Sequence, residues 1–254
     1  MRRSRVLHAA LCAAASALAL AAPPRRAAAQ ALPSATSLLA RHDAAVGGRA
    51  AMDKHTSMHL VVNITIPAAN VSGTMETFHS KPNLFLSKQV IGGGEVLSGF
   101  DGTTAWTIVP GQPPQLLDSA TTAEVKGQAD FFGDYYDPSR VKSAETMEVA
   151  DFEGKRCYKV KIVHKDDTET LVYLDSATGL RVGQSESAKM MGQEIQRTLL
   201  MSDYKDFGGV KMPAKRVQKL PVAEIVMQIQ SVEFDNVNPS TFALPDAVKA
   251  LVKP

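Results

Sequence analysis

Two histidines are the first residues whose types and spacing could do chemistry. His55 and His59 have the i, i+4 spacing that places two metal ligands on one face of a helix. No glutamate follows the first histidine, as it does in the H-E-x-x-H motif of metalloproteases. The pair falls at a predicted helix-to-strand junction, and a third ligand would have to come from elsewhere in the chain. We therefore expect both histidines to be structural and the protein to hold no metal.

A cysteine among lysines is the second candidate. On a strand, Cys157 would share one face with Lys155, Lys159 and Lys161, and nearby cations favour a thiolate. A nucleophilic cysteine also needs a base, and no histidine or acidic partner is identifiable from the sequence. An incidental thiol is therefore favoured over a reactive one.

A run of three glycines, 92–94, resembles a phosphate-binding loop in composition alone. No G-K-[ST] follows it, and the next segment has the pattern of a strand, so no helix N-terminus is available to hold an anion. We predict a hairpin turn there. The sequence also has no G-x-S-x-G nucleophile motif. These observations predict a protein without a cofactor and without enzymatic activity.

The N-terminus has the three parts of a secretory signal. Three arginines precede an apolar run over 6–22, and small residues at 27–29 offer a cleavage site. The apolar run is short for a membrane span and is interrupted by prolines and arginines, so a cleaved signal is favoured over an uncleaved anchor. We predict a signal peptide at 1–29, a single domain at 30–254, and a location in the periplasm.

The charge of the mature chain argues against nucleic acid as a partner. The chain has 28 Lys and Arg against 26 Asp and Glu, but five of the arginines lie within 1–29. Removing them leaves 23 basic against 26 acidic residues, a formal charge of −3. Nucleic-acid binding needs a clustered basic excess, which is absent from the sequence. The one remaining cysteine cannot form an intramolecular disulfide.

Hydrophobic periodicity predicts a mainly β fold. Helices are indicated at 34–46 and 121–136, with a short turn or helix near the C-terminus. Segment 56–66 alternates strictly, three short apolar runs at 84–110 predict a meander, and a two-residue period holds from 142 almost to the end. The count is about ten strands joined by hairpins. One antiparallel sheet of that size must curl, split or partly close.

Six motifs, in this order, resemble outer membrane lipoprotein-sorting proteins of the LolA-like superfamily of periplasmic lipoprotein carriers: LLARHDAAVGG (38–48), FDGTTAW (100–106), DFEGKRCYKVKI (151–162), YLDSATGLRV (173–182), DYKDFGGVKMP (203–213) and VNPSTFALP (237–245). The resemblance implies one strongly curved antiparallel sheet forming an incomplete β-barrel, with helices packed in or over its concave face. It implies a monomer that binds a lipid or the acyl chain of a lipoprotein, with a membrane-bound donor or acceptor protein as a further partner. No functional residue of the carrier can be placed on this chain.

An apolar cavity is the predicted site. Alternation sends one face of segment 56–66 to a single side of the sheet, so Leu60, Val62 and Ile64 are predicted to form the floor. Aromatic residues lie densely between prolines and are predicted to form the cover, with the single tryptophan as a further lining residue: Phe131, Phe132, Tyr135, Tyr136 and Trp106. The alternative for the aromatic segment is ordinary core packing.

A carrier or binding protein for a lipid or for lipoprotein acyl chains is the favoured function. The first alternative is a sensor or regulatory protein with the same fold, which binds a membrane-protein partner and responds to lipid or mislocalised lipoprotein. The second is a hydrolase whose catalytic residues the sequence does not reveal. Co-purified lipid would separate the carrier from the hydrolase.

Overall fold

The computed structural model describes residues 31–133, 135–190 and 193–252. Within these residues the chain forms one antiparallel sheet of thirteen strands together with short helices. The predicted fold class is confirmed: the protein is mainly β, and its large sheet is not closed into a barrel. The predicted signal peptide lies outside the described residues. No helix of the described ranges is both long enough and apolar enough to cross a membrane.

The strands follow the chain as a succession of hairpins. Their bounds are β1 (Ser57–Ile66), β2 (Val71–Ser80), β3 (Leu84–Ile91), β4 (Gly94–Phe100), β5 (Ala105–Ile108), β6 (Gln115–Leu116), β7 (Val141–Phe152), β8 (Lys155–His164), β9 (Glu169–Asp175), β10 (Arg181–Met190), β11 (Gln193–Phe207), β12 (Val210–Leu220) and β13 (Ala223–Phe234). Their order across the sheet is β6-β5-β4-β3-β2-β1-β13-β12-β11-β10-β9-β8-β7. The expected count of about ten was low, in part because the two-residue β6 is too short to show a period.

Four α-helices and two short 3₁₀ helices complete the described elements. Their bounds are α1 (Ala35–Ala45), α2 (Arg49–Asp53), α3 (Ser119–Ala129) and α4 (Asp246–Lys249), with 3₁₀ turns at Pro67–Ala69 and Pro239–Phe242. The predicted first helix is confirmed. Ser34 caps α1 by accepting a hydrogen bond from the backbone N–H of Ser37 at 3.2 Å. The helix ends at Ala45 and is followed by Gly47 and Gly48, whose φ angles of 107° and 77° favour glycine.

The predicted helix over 121–136 is wrong in its second half. Asp118 caps α3 by accepting from the backbone N–H of Thr121, but the helix ends at Ala129. The carboxylate of Asp130 then accepts from the backbone N–H of Phe132 at 3.0 Å, and it forms an ion pair with Arg140. This side-chain hydrogen bond offers the backbone an alternative to the helix, and residues 131–133 form a turn.

The sheet has two faces that are covered differently. Residues directly opposite one another on neighbouring strands share a face, and one such row crosses β1 to β5 through Met58, His79, Phe85, Phe100 and Ala105. We call this the helix face, because α1 packs on β8 and β9, α3 packs on β3 to β5, and α2 packs with Phe131 and Tyr135 near the start of β1. The opposite face is covered over β3 to β5 by the C-terminal residues 237–248.

Candidate ligand-binding site

An apolar strip crosses the middle of the helix face on β2, β1, β13 and β12. At its centre is a small hollow of about 50 Å³, lined by Leu60, Val62, Met75, Arg216, Met227 and Ile229. Most of these side chains are half-buried, although Val62 is only 4% exposed. Within the described residues, the helix-packed core clusters include neither Leu60, Met75 nor Met227. The centre of the strip therefore lies outside the clusters that the helices cover.

A bulge in β13 makes the strip apolar. Val61 pairs with Ser231, but the next residue, Val62, pairs with Ile229, so Gln230 is skipped. A bulge inserts one extra residue and shifts every later side chain by one position. Without it, Val62 would lie opposite the amide of Gln230. Because of the bulge, the β13 residues that point to the helix face are apolar both before and after Gln230.

The residues predicted from the strict alternation of β1 to form the floor lie together on the helix face. Leu60 and Val62 both line the hollow. Ile64 lies on the same face, 6% exposed, directly opposite Met227. The structure therefore brings these three predicted residues together on one strip of the sheet.

The aromatic residues lie elsewhere. Phe131 and Tyr135 are 4% and 8% exposed and belong to a core cluster with Met58 and Met212, at the end of β1 where α2 packs. Two further predicted residues pack at the edges of such clusters: Phe132 beside this one and Tyr136 beside the cluster under α1. None of these four aromatic side chains lines the hollow in this structure.

Trp106 is on the other side of the sheet. Ala105 shares the helix face with Phe100, so the side chain of the next residue in β5 points to the opposite face. There Trp106 is 3% exposed and packs with Leu86, Phe242 and Val248. The structure separates it from Leu60 and Val62 by the full thickness of the sheet.

Sequence reasoning missed Met75, Arg216, Met227 and Ile229. Strands β2, β12 and β13 do not alternate strictly, so neither face stands out in their sequences. These residues are identified only by the pairing of the strands: Met75 and Ile229 lie on either side of Val62, while Arg216 lies opposite Met227.

Arg216 gives the apolar strip a single charged wall. Its neighbours across the sheet are Met227 on β13 and Met201 on β11. A guanidinium is planar, always charged and able to bind carboxylate or phosphate through two parallel hydrogen bonds. An apolar surface beside such a group fits an amphipathic molecule with an anionic head.

The two histidines take part in separate structural contacts. His55 stacks on Phe234 with ring centroids 3.9 Å apart, whereas His59 stacks on Phe78 at 4.3 Å and lies 3.4 Å from a carboxylate oxygen of Glu76. Among the described residues, no three His, Cys, Asp or Glu side chains converge in a manner that could hold a metal ion.

Cys157 is buried on β8. Its side chain is 0% exposed, and burial raises the pKa of the thiol to about 11, with the Asp175 charge adding to the shift. A neutral, inaccessible thiol is a poor nucleophile. This environment agrees with the interpretation of an incidental thiol and opposes the reactive one.

The fold is that of LolA-like proteins. Comparison with protein-family models gives no match, and neither does comparison with curated protein sequences. Among solved structures, a DUF1329 family protein from Desulfovibrio piger is similar, with a TM-score of 0.54 and 11% identity over 82% of this chain and 97% of that one. A LolA superfamily protein from Nitrosomonas europaea gives 0.53 and 12% over 84% and 99%. A domain assigned to outer membrane lipoprotein-sorting proteins from Vibrio parahaemolyticus gives 0.53 and 11% over 85% and 96%.

These likenesses confirm the predicted resemblance as one of fold. At such low identities they carry no residue roles to this chain. The candidate site therefore stands on the apolar strip, its bulge and Arg216.

Proposed function

We propose that the protein is a periplasmic, non-enzymatic binding or carrier protein for a lipid or a lipoprotein acyl chain, and that the chain lies on the apolar strip of the helix face. The observation that carries the proposal is the hollow at the centre of that strip, where apolar side chains from three adjacent strands meet beside Arg216 of a fourth. The fold shared with a lipoprotein-sorting domain supports it. The predicted signal at 1–29 supports the location.

Apolar burial supplies the affinity. Covering apolar surface stabilises a complex by roughly 25 cal/mol per Å². A half-exposed strip of methionine, leucine and isoleucine side chains gives an acyl chain a complementary surface, and Arg216 can bind a carboxylate or phosphate at its end. Methionine side chains are flexible and adapt to chains of different shape.

The hollow must enlarge to hold a whole chain. Its volume of about 50 Å³ is well below the roughly 300–1,000 Å³ of sites that enclose small molecules. We propose that the aromatic residues that follow α3 are the cover that moves, because Phe131 and Tyr135 contact the Met58 end of the strip from outside the helix.

The first experiment identifies the ligand. The exported protein is purified without detergent, extracted with organic solvent, and the extract is analysed by mass spectrometry. A stoichiometric lipid or acyl species is expected. An extract without lipid, together with no binding of a fluorescent fatty acid by the delipidated protein, would refute the proposal.

A matched pair of variants locates the site. Met227→Glu places a carboxylate in the strip, where burying an unpaired charge is costly, so fluorescent fatty-acid binding should fall by roughly tenfold or more. Val226→Glu adds the same charge one residue away on the opposite face and should leave binding unchanged. Thermal melts of both variants separate loss of binding from loss of fold. Equal effects of the two substitutions would argue against this strip.

The absence of catalysis is tested separately. We expect the protein not to hydrolyse p-nitrophenyl butyrate above the rate in buffer. Turnover that co-purifies with the protein and disappears on heat denaturation would favour the hydrolase alternative.

A further inference from the structure

A second pocket lies on the opposite face of the sheet, under the turn that joins β7 to β8. Its volume is about 260 Å³, and six of its lining residues carry the argument: Phe152, Lys155, Leu200, Ser202, Lys215 and Val217. The pocket is separate from the apolar strip. Its residues on β11 and β12 alternate with Met201 and Arg216, which lie on the helix face, so they point to the opposite face.

The turn reaches this position because the sheet curls. β7 and β12 are five strand positions apart, which corresponds to about 24 Å across a flat sheet at roughly 4.8 Å per strand. Nevertheless, a carboxylate oxygen of Glu153 lies 2.8 Å from the Nζ atom of Lys219 on β12. The turn therefore folds over the opposite face of β9 to β12 and roofs the pocket.

Two packing features hold the roof in place. The ring of Phe152 stacks on Tyr173 of β9 with centroids 3.9 Å apart. Beneath it, Gly183 of β10 has no side chain, and a Cβ there would lie 2.3 Å from the Phe152 ring. Glycine is thus required at this position for the aromatic ring to lie flat against the sheet.

The turn that carries Glu153 has left-handed backbone at two successive residues. Glu153 and Gly154 have φ angles of 51° and 76°, a combination for which Asn-Gly or Asp-Gly is the favoured sequence. A glutamate adopts this left-handed conformation at a cost. Its side chain reaches Lys219 across the sheet.

The pocket is amphipathic in a regular way. On its floor, Leu200 lies directly opposite Val217 and forms an apolar pair, while Ser202 lies opposite Lys215 and forms a polar pair. The roof repeats the arrangement. Phe152 pairs with Lys155 across the hairpin, which puts an aromatic ring and an ammonium group side by side.

The lining of the pocket carries two lysines, Lys155 and Lys215, and one carboxylate, Glu153. That carboxylate is paired with Lys219, which also lies opposite Glu224 on β13. In the part of the chain that the structure describes, no ion pair joins Lys155 or Lys215 to a carboxylate, although the charge of Asp175 acts on Lys155. Two lysines beside an apolar floor thus complement a molecule with a short apolar body and a negative charge.

We propose that this hairpin pocket binds a small amphipathic anion, with its apolar body between Phe152 and the Leu200–Val217 pair and its anionic group between Lys155 and Lys215. The site is independent of the proposed acyl-chain site on the helix face. A medium-chain carboxylate and a small aromatic carboxylate share the required chemistry.

Octanoate is the probe, with 1-octanol as its neutral match. Isothermal titration of the wild-type protein should show octanoate binding at millimolar concentrations or below, and weaker binding of octanol. Replacing both lysines (Lys155→Gln with Lys215→Gln) should weaken octanoate roughly tenfold, as expected for the loss of two solvent-accessible charge contacts, and should leave octanol unchanged. Lys211→Gln, an exposed lysine on the same strand, is the control and should change neither.

Filling the pocket gives an independent readout. Leu200→Trp should abolish octanoate binding, and Val217→Trp should do the same if the first variant is poorly folded by its thermal melt. No octanoate binding to the wild type would overturn the proposal. Binding that persists in both the lysine and tryptophan variants would place octanoate elsewhere, and this would overturn it too, whatever the outcome for long acyl chains on the helix face.

Discussion

The Nδ1 atom of His55 lies 2.8 Å from a carboxylate oxygen of Asp235, just past the end of β13. Its Nε2 atom lies 3.1 Å from the carbonyl oxygen of Gly208, in the turn between β11 and β12. The two ring nitrogens thus each lie within hydrogen-bonding distance of an oxygen atom on a different segment of the chain. His55 in this way joins the segment before β1 to the ends of three other strands.

This contact predicts a loss of stability in acid. Hydrogen bonds from His55 and from the backbone N–H of Thr56 lower the pKa of Asp235 to about 2 from its ordinary 3.8. A carboxyl whose pKa is lower in the folded state adds stability above the unfolded value, and this stability is lost as pH falls through the folded value. We expect Asp235→Asn to remove that part of the acid dependence between pH 3.8 and about 2.

Asparagine suits this test because it tolerates the left-handed conformation that Asp235 adopts, with a φ of 62°. The measurement is urea unfolding at a series of pH values. Curves for wild type and variant that stay parallel through this range would show that the Asp235 contact contributes no acid-dependent stability. Glu95→Gln is the control, since Glu95 on β4 is exposed and forms no ion pair with any other residue that the structure describes.

The thiol of Cys157 should be inert in the native protein. With burial raising its pKa to about 11, the thiol is neutral at pH 8 and inaccessible. A thiol reagent such as 5,5′-dithiobis(2-nitrobenzoate) should react in denaturant and not without it. Cys157→Ser, which buries a hydroxyl, should destabilise the protein by about 1–3 kcal/mol. Rapid labelling of the folded protein would contradict the buried position.

Gly183→Ala should displace the roof of the hairpin pocket. The added Cβ would overlap the ring of Phe152, which must leave Tyr173, and overpacking of this kind costs about 1–3 kcal/mol. Octanoate binding should fall with it. Replacing the ring by a smaller side chain tests this explanation: in a Phe152→Leu background, Gly183→Ala should lower the free energy of unfolding markedly less. A cost that is the same in both backgrounds would mean that the ring is not the obstacle.

Trp106 should report on the C-terminal cover and not on acyl-chain binding. Phe242→Ala opens the cluster that covers Trp106, so emission from the only tryptophan should shift to the red. Stability should drop by about 3–5 kcal/mol, as for other buried phenylalanines. Fatty-acid binding on the helix face should be retained at a temperature where the variant is folded. A fatty acid that quenches Trp106 directly would contradict the separation of the two faces.

The parts of the fold that local patterns specify could be predicted from the sequence. Strict alternation identified β1, and the helical period of 34–46 identified α1. The predicted helix at 121–136 failed in its second half because one side-chain contact, Asp130 with the backbone of Phe132, ends the helix and leaves no sign in the apolar period. Helical spacing of aromatic residues was compatible with turns as well as with a helix.

The site was predictable on β1 and hidden elsewhere. Leu60, Val62 and Ile64 were found because they share one strand, but Met227 reaches them through a bulge and a pairing between the first and last strands. Which face Trp106 occupies likewise depends on register across five strands. The hairpin pocket depends on the curl of the sheet, which no single segment encodes.

The strand order has a consequence for how the chain folds. Eleven of the twelve ladders among the described strands join neighbours in sequence, and β1 with β13 is the one that does not. The halves β1–β6 and β7–β13 are therefore meanders that can form independently. The loop closed by pairing β1 with β13 spans almost the whole domain, so it has the largest entropic cost of closure. We expect the bulged ladder to form last, so that the floor of the acyl-chain site becomes complete at the rate-limiting step of folding.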